Sequence, residues 1–534
     1  MKICTGRDIL AGLSVAGLIL PEGIAYAGIA GLPPGRALAA GVAGGLAYLV
    51  IGRSRFAIVS PTSSSAAILA ATLVGLETDP VRRAMMATAL TLIVGVIFLG
   101  LAAFRVGGMA GFISRPVLRG FAFGLAITIV IKQLPKLAGV TVSGGSILSV
   151  MIALGEQTGG WHWPSILLGT AALAALLLLR RVSRLPAALI IIVAGIALGQ
   201  VMNLPALGIA EAGAVSLTFS APTLPDNFAQ WAHLAQFAAP IALILFAESW
   251  GTMRGLALAH GDTVNPNREL AGLGLANGLS ALAQGMPVGA GFSAGTANET
   301  AGATSHIAAL TASLALFALA LFAAPQIAHI PEPVLAAVVI GALTHALSPK
   351  PLIKLFRMRR DQWVALTATL GVLMLGVLNG MLAAIALSIV ELLYRLSHPS
   401  VSELGQVDNG HDFVDRARHP EAAALPAGIM IFRPNAPLIF ANAESVLRTI
   451  VDRARTEGAS KLILSLEESN DLDSTAVEAL GEFRTALQSM HCSLILARAH
   501  DRVRDILTAN GNDEFAGRFT YSVADAAARA LKES

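Results

Sequence analysis

The sequence predicts an all-α polytopic membrane domain followed by a small α/β domain at the C-terminal end. Of the 534 residues, 55% are hydrophobic and only 13% are charged, whereas about 25% of the residues of an ordinary soluble domain are charged. Apolar stretches long enough to cross a bilayer recur as far as His398. Beyond that residue the chain is more charged, and apolar residues alternate with polar ones as they do in strands.

Twelve apolar stretches are predicted to span the membrane. They lie at 8–28, 36–51, 84–104, 113–134, 165–180, 184–203, 237–258, 268–284, 303–324, 331–347, 361–379 and 380–397. Two further segments, which open at Ser60 and Ser293, are short or interrupted, and we count them as half-spanning elements. The membrane domain is therefore predicted to have 14 transmembrane segments, seven in each half.

The basic residues orient these segments, because cytoplasmic loops are enriched in Lys and Arg. Fifteen basic residues of the loops and span ends fall on the side of the chain termini and five on the other side. We therefore expect both termini in the cytoplasm and the protein in a bacterial inner membrane. The apolar run 9–20 resembles a signal peptide, but the pattern continues into further spans, so we interpret it as the first membrane helix.

Composition also argues against several classes of protein. The net charge is only +3 and the basic residues are scattered over short loops, which is not typical of nucleic-acid binding. Cys4 and Cys492 lie at opposite ends of the chain, so we expect no disulfide and no zinc site. No nucleophile paired with a base and no phosphate-binding loop is recognisable. We therefore expect neither an enzyme nor a bound cofactor or metal.

The sequence divides into a membrane domain over 1–398, a linker or irregular lead-in over 399–427, and an α/β domain over 428–534. In the last region, strands are predicted at 428–432, 437–441, 461–466 and 492–497. A helix is predicted to begin at Asn442, whose side chain can cap it. Further helices are predicted at 474–490, 501–509 and 522–532.

A lone glutamate in an otherwise uncharged apolar stretch is followed by a cluster of small hydroxyl residues in each half of the membrane domain. Glu22 precedes the cluster 60–65 by 38 residues, and Glu248 precedes the cluster 293–298 by 45 residues. A carboxylate in a membrane is costly and usually marks a functional site. Irregular backbone in the membrane is tolerated where it lines a cavity or is buried in protein. The repetition predicts two related halves around one transport site.

If each hydroxyl cluster begins a half-helix, its free N–H groups and positive dipole end favour an anion. The hydroxyl groups of Thr62, Ser63, Ser293 and Thr296 add neutral donors. The alternative is that these small residues only allow helices to pack closely.

The two glutamates are candidates for proton coupling, because burial disfavours the charged form of a carboxyl group. Glu248 is the first choice, since Ser249 and Thr252 beside it suit a proton or cation site. The alternative is that each glutamate is neutral or hydrogen-bonded and only holds two helices together.

Several motifs resemble those of the sulfate permease family, also called solute carrier family 26. In the first half they are Asp8, Ala11, Gly12, Pro21, Glu22, Ala25, Tyr26, Ala27 and the run 30–34; in the second half they are the runs 265–270 and 274–277. The C-terminal region is similar to the STAS domain of that family through the runs 440–444 and 472–480. The resemblance covers nearly the whole chain.

The resemblance implies seven plus seven inverted repeats, divided into a core domain that holds the substrate and a gate domain, usually in a homodimer. It also implies that the third and tenth segments meet at mid-membrane. The expected substrate-binding residues are Glu22, Tyr26, Pro61, Thr62, Ser63, Ser64, Phe292, Ser293, Ala294, Gly295 and Thr296. Family members carry sulfate, bicarbonate, chloride, oxalate or dicarboxylates.

One departure concerns Ala294, since many relatives have an arginine in this part of the tenth segment. The missing charge argues against a chloride channel. Residues 247–254 instead resemble bacterial members thought to carry fumarate-like dicarboxylates with a proton. We predict proton-coupled symport of such an anion by an elevator mechanism. Sulfate or bicarbonate transport with a proton or sodium, a passive channel, a nucleobase carrier and a membrane scaffold remain alternatives.

Ser474 occupies the place at which related STAS domains can be phosphorylated. The alternative is that it only caps its helix, with Asp473 favourable to the helix dipole. A cytoplasmic partner at this domain is possible on the same resemblance.

Overall fold

Helices form at every stretch that the sequence predicts to span the membrane. The computed structural model describes residues 5–76, 79–108, 114–142, 146–181, 187–213, 221–344, 346–408, 410–509 and 515–532. The chain divides into two units, Met1–Ser388 and Ile389–Ser534. Each unit is described by itself.

The first unit is helical apart from two short strands. Its helices are α1 Thr5–Ala30, α2 Pro34–Ile51, α3 Ser63–Leu76, α4 Pro80–Ala103, α5 Arg115–Ala138, α6 Ile147–Glu156, α7 Trp163–Leu179, α8 Ala187–Met202, α9 Phe228–Ala259, α10 Pro266–Leu282, α11 Phe292–Thr300, α12 Ile307–Phe322, α13 Ala324–Ala328, α14 Glu332–Leu343, α15 Lys350–Met358, α16 Gln362–Leu375 and α17 Val377–Ser397, which continues into the second unit. The strands are β1 Val59–Pro61 and β2 Val288–Ala290.

Among the described residues, six helices are long and apolar enough to cross a membrane, and seven shorter ones are apolar. The six are α1, α2, α4, α5, α9 and α17. Helices α6, α13 and α15 lie outside the predicted spans. They were missed because they are short and occupy connections, where periodicity is a weak signal.

The membrane helices pack in two groups. The core group contains α1–α4, α9–α12 and both strands, and its main packing pairs are α4 with α10, α2 with α10, and α1 with α12. The gate group contains α5, α7, α8, α14, α15 and α16, joined mainly by the pairs α5 with α16 and α7 with α14. Contacts between the groups run along α1, which touches α8 and α14, and between α3 and α5. This division matches the two expected domains.

Glycines bring α4 and α10 into backbone contact. A Cβ atom on Gly95 would lie 2.9 Å from the backbone nitrogen of Gly278 and 3.1 Å from the carbonyl oxygen of Gly274. A Cβ atom on Gly274 would in turn lie 2.7 Å from a side-chain carbon of Leu99. Such close approach increases dispersion contacts, which replace the hydrophobic effect between helices in lipid.

Buried carboxylates fasten the helix ends in the core group. Asp8, which is fully buried, accepts hydrogen bonds from the backbone nitrogens of Thr304 at 2.6 Å and Ser305 at 3.1 Å, just before α12. Glu269 at the start of α10 accepts hydrogen bonds from the Tyr48 hydroxyl and the backbone nitrogen of Arg53. Asp8 and Glu269, both within the family-like motifs, therefore tie α1 to α12 and α10 to α2.

The second unit is built around a six-stranded sheet with strand order β4-β3-β5-β6-β7-β8. Its elements are β3 Val401–Gln406, β4 Phe413–Asp415, β5 Ile429–Pro434, α18 Ala443–Thr456, β6 Lys461–Ser465, α19 Ser474–Ser489, β7 Ser493–Ala497, α20 Asp501–Thr508, β8 Phe519–Thr520 and α21 Val523–Lys532. Strands β5 to β8 are parallel, and β3 is antiparallel to both neighbours.

Successive side chains of the parallel strands point to opposite faces of the sheet, so they contribute to two separate cores. Ile431, Ile463 and Ile495 pack on one face with residues of α21. The intervening residues, such as Leu464 and Leu496, pack on the other face with α18, α19 and α20.

Three expectations for this unit are corrected. No strand forms at 437–441, because side chains bind the backbone: Ser469 accepts from Leu438 and Asp473 accepts from Phe440. Asn442 precedes α18 but does not cap it, since its Oδ1 accepts from the backbone nitrogen of Ile439. Within the predicted lead-in over 399–427, the stretch 400–425 is not irregular throughout, because β3 and β4 lie in it.

Gly95→Ala should destabilise the protein, because the new methyl group meets backbone of α10 that cannot move aside. We expect a loss of about 1–3 kcal/mol, typical of overpacking. Gly100→Ala in the same helix is the matched control, since a Cβ there meets no heavy atom within 4 Å. Thermal unfolding in detergent should show a lowered Tm for Gly95→Ala alone; equal Tm values for the two variants would contradict the close packing.

Burial raises the pKa of the Cys492 thiol to about 11. At a pH near 8 its thiolate fraction should be roughly 200-fold lower than that of a free cysteine with a pKa of about 8.5. Alkylation of a Cys4→Ser variant, followed by mass spectrometry, should therefore be slow in the folded protein and fast in denaturant. Equal rates in both conditions would show that Cys492 is accessible.

Candidate substrate site

The two hydroxyl-rich breaks lie side by side because their short strands pair. Strands β1 and β2 are antiparallel, with Val59 opposite Ala290, Ser60 opposite Gly289 and Pro61 opposite Val288. Each strand leads directly into a short helix, α3 on one side and α11 on the other. The prediction that the two breaks meet is thereby confirmed.

The two half-helices begin differently. In α3, the Thr62 hydroxyl accepts from the backbone nitrogen of Ser65 at 3.1 Å, and the Ser65 hydroxyl accepts from the backbone nitrogen of Thr62 at 3.0 Å. This reciprocal cap occupies part of the donor capacity of α3. Helix α11 follows Gly291, which has no side chain to cap it. The N-terminal end of α11 is therefore the better place for an anion.

Each glutamate meets the break of the other half. Glu248 on α9 accepts a hydrogen bond from the Thr62 hydroxyl at 3.4 Å, and Ser64 faces the same carboxylate. Glu22 on α1 faces the hydroxyl group of Ser293. The glutamate of each half is therefore placed against the hydroxyl groups of the opposite half.

Tyr26 lies one turn after Glu22 on α1 and faces the hydroxyl group of Ser63. It also interacts electrostatically with the carboxylates of Glu22 and Glu248. It is buried, as is Glu22. Glu22 Oε1 and Thr296 Oγ1 are buried and have no hydrogen-bond partner among the described residues. A buried polar atom without a partner is costly, so these two oxygens are available to a ligand, a water or a proton.

A cavity of about 2820 Å³ opens beside the paired breaks, lined by residues of the core and gate groups. Twelve predicted site residues line it: Glu22, Tyr26, Pro61, Thr62, Ser63, Ser64, Glu248, Thr252, Phe292, Ser293, Ala294 and Thr296. Gly295 and Ser249 do not. Gly295 packs against Thr252 and Leu256 instead, where a Cβ would lie 3.1 Å and 3.2 Å from side-chain carbons.

Ser249, a predicted coupling residue, contacts the backbone of strand β2. Its buried hydroxyl accepts from the backbone nitrogen of Ala290 at 2.9 Å. Asn277 supports the same strand, donating to the carbonyl oxygen of Val288 at 2.9 Å and accepting from its nitrogen at 3.0 Å. Ser249 and Asn277 thus satisfy β2 on the side away from β1. A polar residue in an apolar helix is the only sequence signal for this role.

The cavity has an uneven charge. Its acidic lining residues are Glu22 and Glu248, whereas the basic ones are Arg7, Arg115, Arg119, Arg180, Arg254 and Lys350. Arg180 is held in the gate group by the carbonyl oxygen of Gly341 at 2.5 Å and attracts Glu22 electrostatically. Sequence reasoning counted Arg180 only as a topological signal. The structure places its charge beside the site, although none is present at Ala294.

Paired broken helices, buried carboxylates and a large cavity between two helix groups define a membrane carrier of small solutes. A family model described as the sulfate permease family matches residues 6–369, and one described as the STAS domain matches residues 422–526. The chain therefore belongs to the sulfate permease family. It is a multi-pass membrane anion transporter that ends in a STAS domain, and the family consists of transporters, not enzymes.

Similarity to related proteins extends over nearly the whole chain. A probable sulfate transporter of Mycobacterium tuberculosis is 35% identical over 94% of this chain and 90% of its own length. Probable sulfate transporter 3.4 of Arabidopsis thaliana is 27% identical over 92% of this chain and 79% of its own length.

Solved structures share the fold. The murine solute carrier 26 family member A9 anion transporter in the inward-facing state has a TM-score of 0.90, with 21% identity over 100% of this chain and 92% of that one. The transmembrane domain of a cyanobacterium bicarbonate transporter has a TM-score of 0.62, with 21% identity over 71% and 97%.

Asn277→Ala should disturb the site without touching the cavity, since it leaves the N–H and C=O groups of Val288 unpaired in a buried place. We expect a loss of about 1–3 kcal/mol for each group. Asn298→Ala is the matched control: Asn298 is equally buried, but its Oδ1 has no partner and its Nδ2 makes one contact of 3.4 Å to Phe56. Thermal unfolding should rank Asn277→Ala as the less stable variant, and the reverse order would contradict this assignment.

Proposed function

We propose that the protein is a secondary active transporter that binds a small divalent anion between its two half-helices and transports it together with a proton. The observation that carries the proposal is the crosswise arrangement of Glu22 and Glu248 against the opposite breaks. Two carboxylates in this place repel an anion unless one is neutral. Proton uptake by the site therefore favours anion binding, which is the requirement for symport.

Glu248 is the proposed coupling residue. Its carboxylate already interacts with hydroxyl groups of the first break, so its charge acts directly on the geometry of that half-helix. Thr252 lines the cavity one turn later, but its hydroxyl donates to the carbonyl oxygen of Glu248 at 3.0 Å. Glu22, with one unpartnered oxygen beside Ser293, is proposed to shape the anion pocket.

Two substrates fit this chemistry. The relatives that match over most of their length are named sulfate transporters, which supports sulfate. The resemblance of residues 247–254 to bacterial dicarboxylate carriers supports a dicarboxylate such as fumarate. Both are divalent oxyanions, which the N-terminal end of α11 and the hydroxyl groups of Ser293 and Thr296 can bind.

Transport is proposed to occur by movement of the core group against the gate group in a fold of 14 segments arranged as seven plus seven inverted repeats. Sparse contacts between the groups, mainly along α1, support such a movement. All the basic residues of the cavity belong to the side predicted to be cytoplasmic. This distribution supports an inward-facing state in a bacterial inner membrane, with both termini and the STAS domain in the cytoplasm.

A homodimer and regulation at Ser474 are further parts of the proposal. Ser474 is exposed at the first position of α19, and Asp473, rather than Ser474, caps the helix by accepting from Ala476 at 2.8 Å. An exposed hydroxyl at a helix N-terminus is a favourable place for a phosphate group.

Proteoliposomes with labelled sulfate or fumarate test the coupling. At zero membrane potential, each unit of an inward pH gradient should drive about tenfold accumulation in a one-to-one symport. Glu248→Gln should abolish the accumulation but leave exchange across equal pH, because it removes the titrating group and retains the fold. Competition between the two labelled anions identifies the substrate.

Glu299→Gln is the matched control, since Glu299 lies on α11 but pairs with His260 at 2.7 Å and does not line the cavity. It should accumulate anion as the wild type does. Uptake that ignores the pH gradient, or accumulation retained in Glu248→Gln, would overturn proton coupling. Sodium-dependent uptake under the same conditions would show that the coupling ion is sodium and not a proton.

A further inference from the structure

The short helix α15, between α14 and α16, has an amphipathic surface that the transport site does not use. Leu355 is buried against the rest of the first unit, and α15 packs on α5. On the adjoining side, Ile353 is 46% exposed and Phe356 is 43% exposed. These residues are spaced by three positions, so they lie on one face of the helix.

The face of α15 turned away from Leu355 is basic. Lys350, Lys354 and Arg357 follow helical spacing and are exposed, and Arg359 and Arg360 continue the charge at the C-terminal end. No acidic residue occurs in the sequence from 346 to 360. Within the part of the chain that the structure describes, no ion pair is found for Lys354 or Arg357. A short helix with such a division of apolar and basic residues is typical of a membrane surface.

An aromatic pair extends the exposed apolar face. The ring of Phe356 lies edge-on to that of Trp363, with a centroid distance of 6.4 Å, and Trp363 is 66% exposed in the first turn of α16. Tryptophan at the end of a membrane helix is enriched at the boundary between hydrocarbon and headgroups. The pair is therefore typical of a helix at the height of the lipid headgroups.

We propose that α15 binds anionic phospholipid headgroups through Lys354 and Arg357 while Ile353 and Phe356 enter the apolar layer. The charge complementarity selects an anionic lipid over a zwitterionic one. Lys350 and Leu352, on the same helix, line the mouth of the transport cavity. Lipid binding at α15 thus holds one wall of that mouth at the membrane surface.

Thermal unfolding of the detergent-solubilised full chain, titrated with phosphatidylglycerol, tests the proposal, because a ligand stabilises the state that binds it. Phosphatidylglycerol should raise the Tm, whereas phosphatidylcholine and inorganic phosphate should not. Each basic residue near an anionic surface adds to the free energy of lipid binding. The double variant Lys354→Gln/Arg357→Gln should therefore need roughly 30-fold more phosphatidylglycerol for a half-maximal rise in Tm. Neither residue lines the cavity, so the Tm without lipid should not change.

Three further variants keep the outcome interpretable. Lys354→Arg/Arg357→Lys retains the charges and should respond as the wild type does, and Phe356→Ser should also weaken the response. Arg448→Gln/Arg455→Gln removes two exposed arginines of α18 and should leave it unchanged. Equal responses in the wild type and Lys354→Gln/Arg357→Gln, or equal stabilisation by phosphatidylcholine, would overturn the proposal. Dimerisation through Phe356 without any lipid effect, seen by light scattering, would assign this face to a second copy of the chain.

Discussion

The pairing of β1 with β2 is the constraint on which the site depends. Two segments break their helices inside an apolar domain, and non-helical backbone there must find its hydrogen bonds within the protein. The strands satisfy each other on one side, while Ser249 and Asn277 satisfy β2 on the other. This pairing allows two half-helices to begin next to each other, so that their N-terminal ends, hydroxyl groups and carboxylates share one cavity.

The crosswise contacts join the halves more closely than the pairing alone. Because Glu248 reaches Thr62 and Glu22 reaches Ser293, a change in the charge of either carboxylate acts on the half-helix of the other half of the domain. The two acids line a cavity whose other charged lining residues are basic. In the proposed mechanism, basic residues attract an anion into the cavity, and protonation of the carboxylates decides whether it stays bound. In this proposal, the absence of an arginine at Ala294 makes anion binding depend on that protonation.

The packing of the helices in the core group supports the paired breaks and their carboxylates. Glycine contacts such as Gly95 with Gly278 make the core group close-packed, and Asp8 and Glu269 fasten its helix ends. Contact with the gate group is confined mainly to α1, the helix that carries Glu22 and Tyr26. The helix that bears part of the site is therefore also the one along which the two groups meet. The proposed movement of the two groups would therefore change the contacts of the helix that carries Glu22.

The sequence by itself determined the class of fold, the membrane helices, the two breaks and twelve of the residues that line the cavity, because hydrophobic length and misplaced carboxylates are local signals. It also predicted, from their alternating pattern, three strands that form in the α/β unit, β5, β6 and β7. Only the tertiary structure decided which residues these side chains contact. Nothing local distinguishes Ser249, which binds the backbone of Ala290, from Thr252, which lines the cavity. The charge of Arg180 beside Glu22, the missing strand at 437–441 and the strands within 400–425 likewise depend on contacts between residues distant in the chain, which a single sequence does not encode locally.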